Sequence, residues 1–435
     1  MSGIEIAATI IFVVGYVFIT FEHQIGAQKA PMSLVMAGLL WVLVSWQEDD
    51  FAHDMEEAGW EITQIVFFLL FAMTLVELIS RLGFFELIRV KLLERRWNNT
   101  RQFVVLMVIT FFLSAILDNL TTTIVMIEIA RRFFRDRNLL VVGAGIVILA
   151  NAGGAWSPIG DVTTIMLWLA GKFTAGEIVT EAFLPSAAHG IVATVFLMRA
   201  IDNEQVDDDS RETLRLSFTP VAKVMMTASL LCFALPFVAT QLDLAPFIGL
   251  GFGFGVVGVL TNKFADRVGS PLVEPAAGEN HRTAMERDIE EVIKEVDFSS
   301  LIFFVGILLS VAALGAMGVL DQLSDTLFGE NPSDARIATG SVLMGWASAV
   351  IDNVPLTAVA IDTVPTDDPR LWSLLAYCVG TGGSHLVIGS AAGVVAMGRV
   401  NGLTSTAYAR IASLAVLVAY LAGIAVWIVQ GQIFG

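Results

Sequence analysis

Charge is scarce in this chain. Only 15% of its 435 residues are Asp, Glu, Lys or Arg, 56% are hydrophobic, and the mean hydropathy is +0.74. That leaves too little polar surface to cover a soluble globule of this size, so the chain belongs in a bilayer. Basic residues are the scarcer charged class, 25 against 42 acids, for a formal charge of −17. Nucleic acid is therefore not an expected partner. The excess is concentrated in loops such as Glu48 to Glu61, which holds seven acids and no Lys or Arg and reads as a solvated stretch. Cysteine is nearly absent. Cys232 and Cys378 sit in apolar runs without metal-ligand spacing and read as packing residues. The first apolar run, Ile4 to Phe21, has no basic leader and no small-residue cleavage site, so it reads as a retained helix rather than a signal peptide.

What is present instead is a series of apolar stretches from end to end, each near the ~20 residues that cross ~30 Å of hydrocarbon. The membrane fold is essentially the whole chain. Two stretches repeat one another: Ser114-Ala-Ile-Leu-Asp118-Asn119 returns as Ser348-Ala-Val-Ile-Asp352-Asn353. Each is followed by a glycine-rich break, Asn151-Ala-Gly-Gly-Ala-Trp-Ser-Pro-Ile-Gly160-Asp161 and Gly380-Thr-Gly-Gly-Ser-His-Leu-Val-Ile-Gly389-Ser390. Asp118 and Asp352 are 234 residues apart, Gly153 and Gly382 229. Two matched pairs in one order and register indicate internal duplication.

Flanking charge gives the orientation. Arg81, Arg89, Lys91, Arg95, Arg96 and Arg101 precede the first Asp-Asn run, and Arg131, Arg132, Arg135 and Arg137 follow it, so both ends of 103–130 read as cytoplasmic. A segment with both ends on one side is a re-entrant hairpin. Around the second copy, 335–363, the balance reverses, with Asp321, Asp325, Glu330 and Asp334 ahead, Asp362, Asp367 and Asp368 behind, and only Arg336 and Arg370 positive. That hairpin is expected to enter from outside. Helices are predicted over 4–21, 31–46, 62–80, a broken helix 139–170, and 183–200. The second half repeats them over 221–240, 245–260, 298–316, a broken helix 371–398, and 408–428. The expected fold is thus an all-α polytopic membrane protein of two inverted repeats, 1–216 and 217–435, each with five crossings, one of them broken, plus one re-entrant hairpin. An odd number of crossings per half forces the inversion and puts both termini outside. Met285, Ile289, Val292, Ile293 and Val296 are spaced as an amphipathic helix on the cytoplasmic surface.

A Gly-Gly break inside a membrane is tolerated only where unwound backbone faces protein or a wet cavity. Two hairpin tips and two broken helices would gather helix ends near the midplane, the usual address of a transported ion. Buried Asp is unfavourable by roughly 2.5 to 3.5 kcal/mol at a helix centre, so Asp118, Asp161 and Asp352 need partners or ligands. With Asn119, Asn151, Thr163, Thr164, Asn353, Ser384 and Ser390 close by in sequence, the polar set is almost wholly oxygen-bearing, which suits a hard cation. Neither motif holds a Lys or Arg, which argues against an anionic substrate. The first half, with Asn151, Asp161, Thr163 and Thr164, offers more ligands than the second, where Gly380, Ser390, Ala392 and Gly393 stand at roughly matching positions. Its residues are the principal cation-site candidates, and Asp352, Asn353, Ser384 and Ser390 are the second-half counterpart. Asp118, Asp161 and Asp352 are also the proton-coupling candidates, with Glu77 and His385 as further ones. His189 reads as a core histidine, and Glu128 as a partner of Arg131 or Arg132.

Leu117-Asp118-Asn119-Leu120-Thr-Thr-Thr, Asn151 to Thr164, Ile351-Asp352-Asn353-Val-Pro355 and Gly382-Gly-Ser384-His together resemble the NhaD-type sodium/proton antiporters, of the ion-transporter superfamily that also holds dicarboxylate and arsenite carriers. The resemblance covers essentially the whole chain. It implies a homodimer in the cell (inner) membrane, static scaffold helices at the interface, and hairpins and broken helices that move as a transport body. The hairpin tips of dicarboxylate relatives typically read Ser-Asn-Thr, whereas both tips here begin with Asp.

The expected activity is exchange of Na⁺ or Li⁺ for protons by alternating access, with no cofactor beyond the transported ions. Three rivals are a sodium-coupled carboxylate or anion carrier, a channel, and an intramembrane aspartyl protease built on two of the acids. The inverted duplication has no reason to exist in the protease reading.

Overall fold

The computed structural model describes residues 2–20, 26, 28–47, 51–93, 97–202, 216–268, 272–273, 289–329 and 332–434. Among these, the chain is all-helical apart from a two-residue antiparallel ladder that pairs Leu216–Ser217 with Leu272–Val273. Among the described residues, eight helices are long and apolar enough to cross a membrane, or nine if one bent pair counts as a span. The chain is a multi-pass membrane protein.

In order, the helices of the first part are α1 (Gly3–Thr20), α2 (Lys29–Gln47), α3 (Ala52–Arg81), α4 (Phe84–Leu93), α5 (Asn99–Ser114), α6 (Asn119–Ala130), α7 (Asp136–Gly154), α8 (Val162–Leu169) and α9 (Ala175–Met198). There follow α10 (Pro220–Cys232), α11 (Leu235–Gln241), α12 (Pro246–Val268), α13 (Ile289–Lys294), α14 (Phe298–Ala316), α15 (Val319–Leu327), α16 (Asp334–Ala347), α17 (Asn353–Thr363), α18 (Pro369–Gly382), α19 (Ala391–Arg399) and α20 (Ser405–Phe434). Both Asp-Asn runs and both glycine breaks fall where helices stop and restart. At ~1.5 Å per residue, α5 and α6, with 16 and 12 residues, reach only ~24 and ~18 Å, short of the ~30 Å hydrocarbon layer.

The chain forms two compact units, Met1–Thr63 with Phe103–Asp202 and Ser299–Gly435, and Gln64–Gln102 with Asn203–Phe298. Each draws on both sequence halves. In the first, the halves interleave: α6 packs on α19, α17 on α8, α7 on α18 and α9 on α20. The duplicated residues also make duplicated contacts. Ser114 Oγ donates to the Ala150 carbonyl at 2.6 Å, and Ser348 Oγ to the Val379 carbonyl at 2.9 Å. A methyl on Gly153 would overlap the Phe111 carbonyl, and one on Gly382 the Gly345 carbonyl. Likewise Gly160 lies against the Ser114 carbonyl and Gly389 against that of Ser348. Each pair is related by the offsets seen in the sequence.

In the second unit, Phe67 and Phe71 of α3 stack on Phe247 and Phe254 of α12 with ring centroids 6.0 and 5.9 Å apart. The span predicted over 221–240 is bent by 41° between α10 and α11. Pro236 explains it, because its ring obstructs the carbonyl four residues back, that of Cys232, and it has no N–H to donate. The acid-rich stretch read as a loop is corrected too: from Ala52 it is helix, and Asp54, Glu56, Glu57 and Glu61 lie on α3. Of the amphipathic segment, Met285 lies outside the described residues; Val292 and Val296 are buried. Arg95, Arg96, Glu48 and Glu330 also lie outside them.

The overlaps predict that Gly153→Ala and Gly382→Ala each destabilise the protein by about 1–3 kcal/mol, since the neighbour is backbone that cannot turn aside. Gly38→Ala, with nothing within 4 Å of the added methyl, is the control. Thermal unfolding in detergent should show both glycine variants well below wild type and the control beside it; equal midpoints for all four would refute the close approach.

Candidate functional site

The first few N–H groups of any helix have no partner within it. Four helices restart inside the first unit, and the same four sequence positions supply their caps. Asp118 caps α6, accepting from Thr121 N at 2.8 Å and from Thr121 Oγ1 at 2.6 Å. Asp161 caps α8 through Thr163 N at 3.4 Å, with Thr164 Oγ1 donating to its carbonyl at 2.9 Å. Asp352 caps α17 through Val354 N, and Ser390 caps α19 through Gly393 N, both at 3.3 Å. A carboxylate is favoured at such a place because the aligned peptide dipoles leave partial positive charge at the helix start.

Asn151 ties these ends together. It is fully buried, accepts from Asn119 Nδ2 at 3.0 Å, and donates to Ser384 Oγ at 2.9 Å and Ser390 Oγ at 3.0 Å. One amide thus bridges the start of α6 to the break between α18 and α19. Asn353 does equivalent work for its own half: with its amide turned to suit its neighbours, it donates to the Val379 and Gly389 carbonyls, each at 3.3 Å. Tyr408 OH holds the Ser384 carbonyl at 2.7 Å.

Some oxygens are left over. Asp161 is 3% exposed, its Oδ2 has no hydrogen-bond partner, and neither does the buried hydroxyl of Thr163. Gly380 faces that carboxylate: a methyl there would come within 3.5 Å of Oδ2. Among the described residues no three His, Cys, Asp or Glu side chains converge enough to hold one metal ion. A cation here would be bound by one or two carboxylates with hydroxyl, amide and backbone oxygens, which is the coordination of a small hard ion.

The other sequence candidates stand apart from this network. Glu77 belongs to the second unit, where Arg81 bonds it at 3.1 Å and reaches Glu295 at 2.9 Å. Hydrogen bonds from Glu77 and Arg81 hold Glu295 below the usual carboxylate range. His385 Nδ1 contacts the Gly382 carbonyl at 2.9 Å and its ring meets Tyr420 edge-on. His189 is a core histidine bonded to Tyr377 OH at 3.2 Å. Glu128 pairs with Arg131, as expected, and also with Arg399, each at 3.2 Å.

One residue escaped the sequence reading. Tyr16 of α1 accepts a hydrogen bond from the Asp352 backbone N–H at 2.8 Å. Nothing local marks it, because the partner is more than 300 residues away. Ser114 and Ser348 stand out in the sequence as repeated letters, but the carbonyls of Ala150 and Val379 that they bond lie more than 30 residues along the chain.

Comparison with known proteins points the same way. A family model described as citrate transporter (CitMHS) matches residues 10–382. The chain is 36% identical over 405 residues to sodium/proton antiporter 1 of Arabidopsis thaliana, covering 91% of this chain and 67% of that protein. It is 35% identical over 412 residues to sodium/proton antiporter 2 of the same plant, at 89% and 91% coverage. It is 30% identical over 421 residues to the Na(+)/H(+) antiporter NhaD of Alkalimonas amylolytica, at 90% and 83%.

Proposed function

The chain belongs to the citrate transporter family, and from that premise we propose that it is a secondary antiporter exchanging Na⁺ or Li⁺ for protons. The observation that carries the reading is the Asp161 carboxylate, buried and with one oxygen unpartnered, in a unit where Asp118 and Asp352 cap two further helix starts. Buried carboxylates in a low-dielectric interior are stable only when cations or protons offset their charge.

Competition for these groups couples the two fluxes. Facing the cytoplasm, the deprotonated site binds Na⁺ through Asp161 and Asp118, assisted by Asn119, Asn151, Thr163 and Thr164. On the outside, protons displace the cation and the neutral site returns. Only the charge-neutralised forms cross, because bare carboxylates meet a dielectric barrier. Glu77 and His385 stand as further proton carriers. In the membrane, the proposed layout has two inverted repeats, 1–216 and 217–435, re-entrant hairpins entering from opposite sides, and both termini outside. The transporter is assigned to the cell (inner) membrane as a homodimer.

The family's description favours a second reading, a sodium-coupled carboxylate carrier. Against it stand the carboxylates at both tips, which would repel such a substrate, and the names of the relatives above. Citrate-stimulated Na⁺ uptake into proteoliposomes would turn the assignment to that reading.

In vesicles loaded with a pH-sensitive dye, Na⁺ or Li⁺ should dequench fluorescence in wild type, and Asp118→Asn should abolish the response. Asp161→Asn should weaken apparent cation affinity at least tenfold, about 1.4 kcal/mol. Wild-type flux in the first variant or unchanged affinity in the second would remove that residue from the site. For the layout, single cysteines near Arg101 and Arg137 should react with impermeant reagents from the cytoplasm, and those near Asp334 and Asp367 from outside. Labelling of either pair from opposite faces would make that hairpin a span.

A further inference from the structure

The two breaks place a ring at equivalent positions, since Trp156 and His385 are separated by the same 229 residues as Gly153 and Gly382. Each stands edge-on to an aromatic side chain of the helix that follows: Trp156 to Phe183 of α9, with centroids 4.9 Å apart, and His385 to Tyr420 of α20, at 5.0 Å. The surroundings then diverge. Trp156 also meets Phe111 and Phe112 of α5, so its ring is packed by carbon. By the 234-residue offset of the Asp-Asn runs, Phe111 corresponds to Gly345, which has no side chain. The Tyr420 hydroxyl lies against it: a methyl on Gly345 would overlap that oxygen, which donates to the Val342 carbonyl at 3.0 Å. Two further hydroxyls of α20 reach the second break itself. Tyr408 OH donates to the Ser384 carbonyl at 2.7 Å, and Ser413 Oγ to the His385 carbonyl at 3.0 Å. Both carbonyls stand between the end of α18 at Gly382 and the short turn Val387–Gly389. Ser384 and Tyr408 are fully buried, where a polar group left unpaired is costly. Among the described residues no side chain of α9 bonds the first break in this way; its Thr180 and His189 bond elsewhere. Ser384 also carries the next bond inward, because its Oγ accepts from Asn151, which accepts in turn from Asn119.

We propose, resting on the antiport reading above, that Tyr408 and Ser413 are positioning residues for the exchange. By holding the backbone of the second break they fix Ser384 as the acceptor of Asn151, and through it the amide network that joins the two halves. Neither hydroxyl touches the cargo. A side chain that only stabilised the fold would change how much transporter is active, whereas one that sets the placement of Asn151 and Asn119 changes how tightly the cation is held.

The test uses the full chain in proteoliposomes with Na⁺ as the probe, read as KM and maximal exchange rate, together with hydrogen–deuterium exchange of the purified protein in detergent. Tyr408→Phe should raise the KM for Na⁺ about fivefold, the scale of one lost hydrogen bond, while the maximal rate per folded transporter changes less than about twofold. Ser413→Ala should move KM in the same direction. In the Ser384→Ala background, where the acceptor of Asn151 is already gone, Tyr408→Phe should add little. Deuterium uptake should quicken in Tyr408→Phe at residues 382–390 and, through the Asn151 bond, at 151–155. An unchanged KM in Tyr408→Phe, whatever its rate, or an equal rise in KM in both backgrounds would overturn the positioning role. Should Tyr408→Phe not fold, Ser413→Ala decides: a raised KM supports the role and an unchanged one contradicts it. If wild type exchanges no Na⁺ for protons, it is the antiport reading that falls, and deuterium uptake still reports on the clasp: quickening at both segments supports it, and quickening confined to 382–390 contradicts the link to Asn151.

Discussion

A helix that begins inside a protein must find acceptors for its first N–H groups, and four helices here begin that way. The chain meets the requirement with Asp118, Asp161, Asp352 and Ser390. Most of what distinguishes the molecule follows from that choice. A serine cap would satisfy the backbone equally well and carry no charge. Aspartate in three of the four places puts carboxylates in an interior that solvates charge poorly. The glycines that let the broken segments approach the carbonyls of Phe111, Ser114, Gly345 and Ser348 hold those helix starts in place. Helix termination and packing are here one arrangement viewed at two scales.

The duplication does not yield two equal sites. Where the first half caps α8 with Asp161, the second caps α19 with Ser390; where the first half grips Asp118 with Thr121, the second has Pro355. Asn151 uses the resulting hydroxyls as acceptors and joins the halves through them. The second half thus contributes hydroxyls where the first places a third carboxylate. A substrate carboxylate needs donors or fixed cations, whereas the Asp-Asn runs of both halves begin with acids.

Much of this could be read from the sequence because the relevant signals are local. The Asp-Asn repeats and Gly-Gly breaks mark helix interruptions whatever their surroundings, and the structure breaks its helices at those residues, placing Asn119, Asn151, Ser384 and Ser390 in one network. Other features resisted for physical reasons. Pro236 bends a span that hydropathy alone leaves continuous, since composition does not register a missing N–H. The acids from Asp54 to Glu61 look like a loop because their charge density masks their helix propensity, but one face of a helix end can stay solvated. Tyr16 and Arg399 bond partners hundreds of residues away, and no spacing rule reaches that far.

If one set of carboxylates serves both ions, cation binding must expel protons. Calorimetric titration of the purified protein with Na⁺, repeated in buffers of differing ionisation enthalpy, counts those protons directly. Competition predicts a heat that changes with the buffer, reporting proton release on binding, and loss of that dependence in Asp161→Asn. Na⁺ binding with heats independent of the buffer near the pH where exchange runs would contradict it.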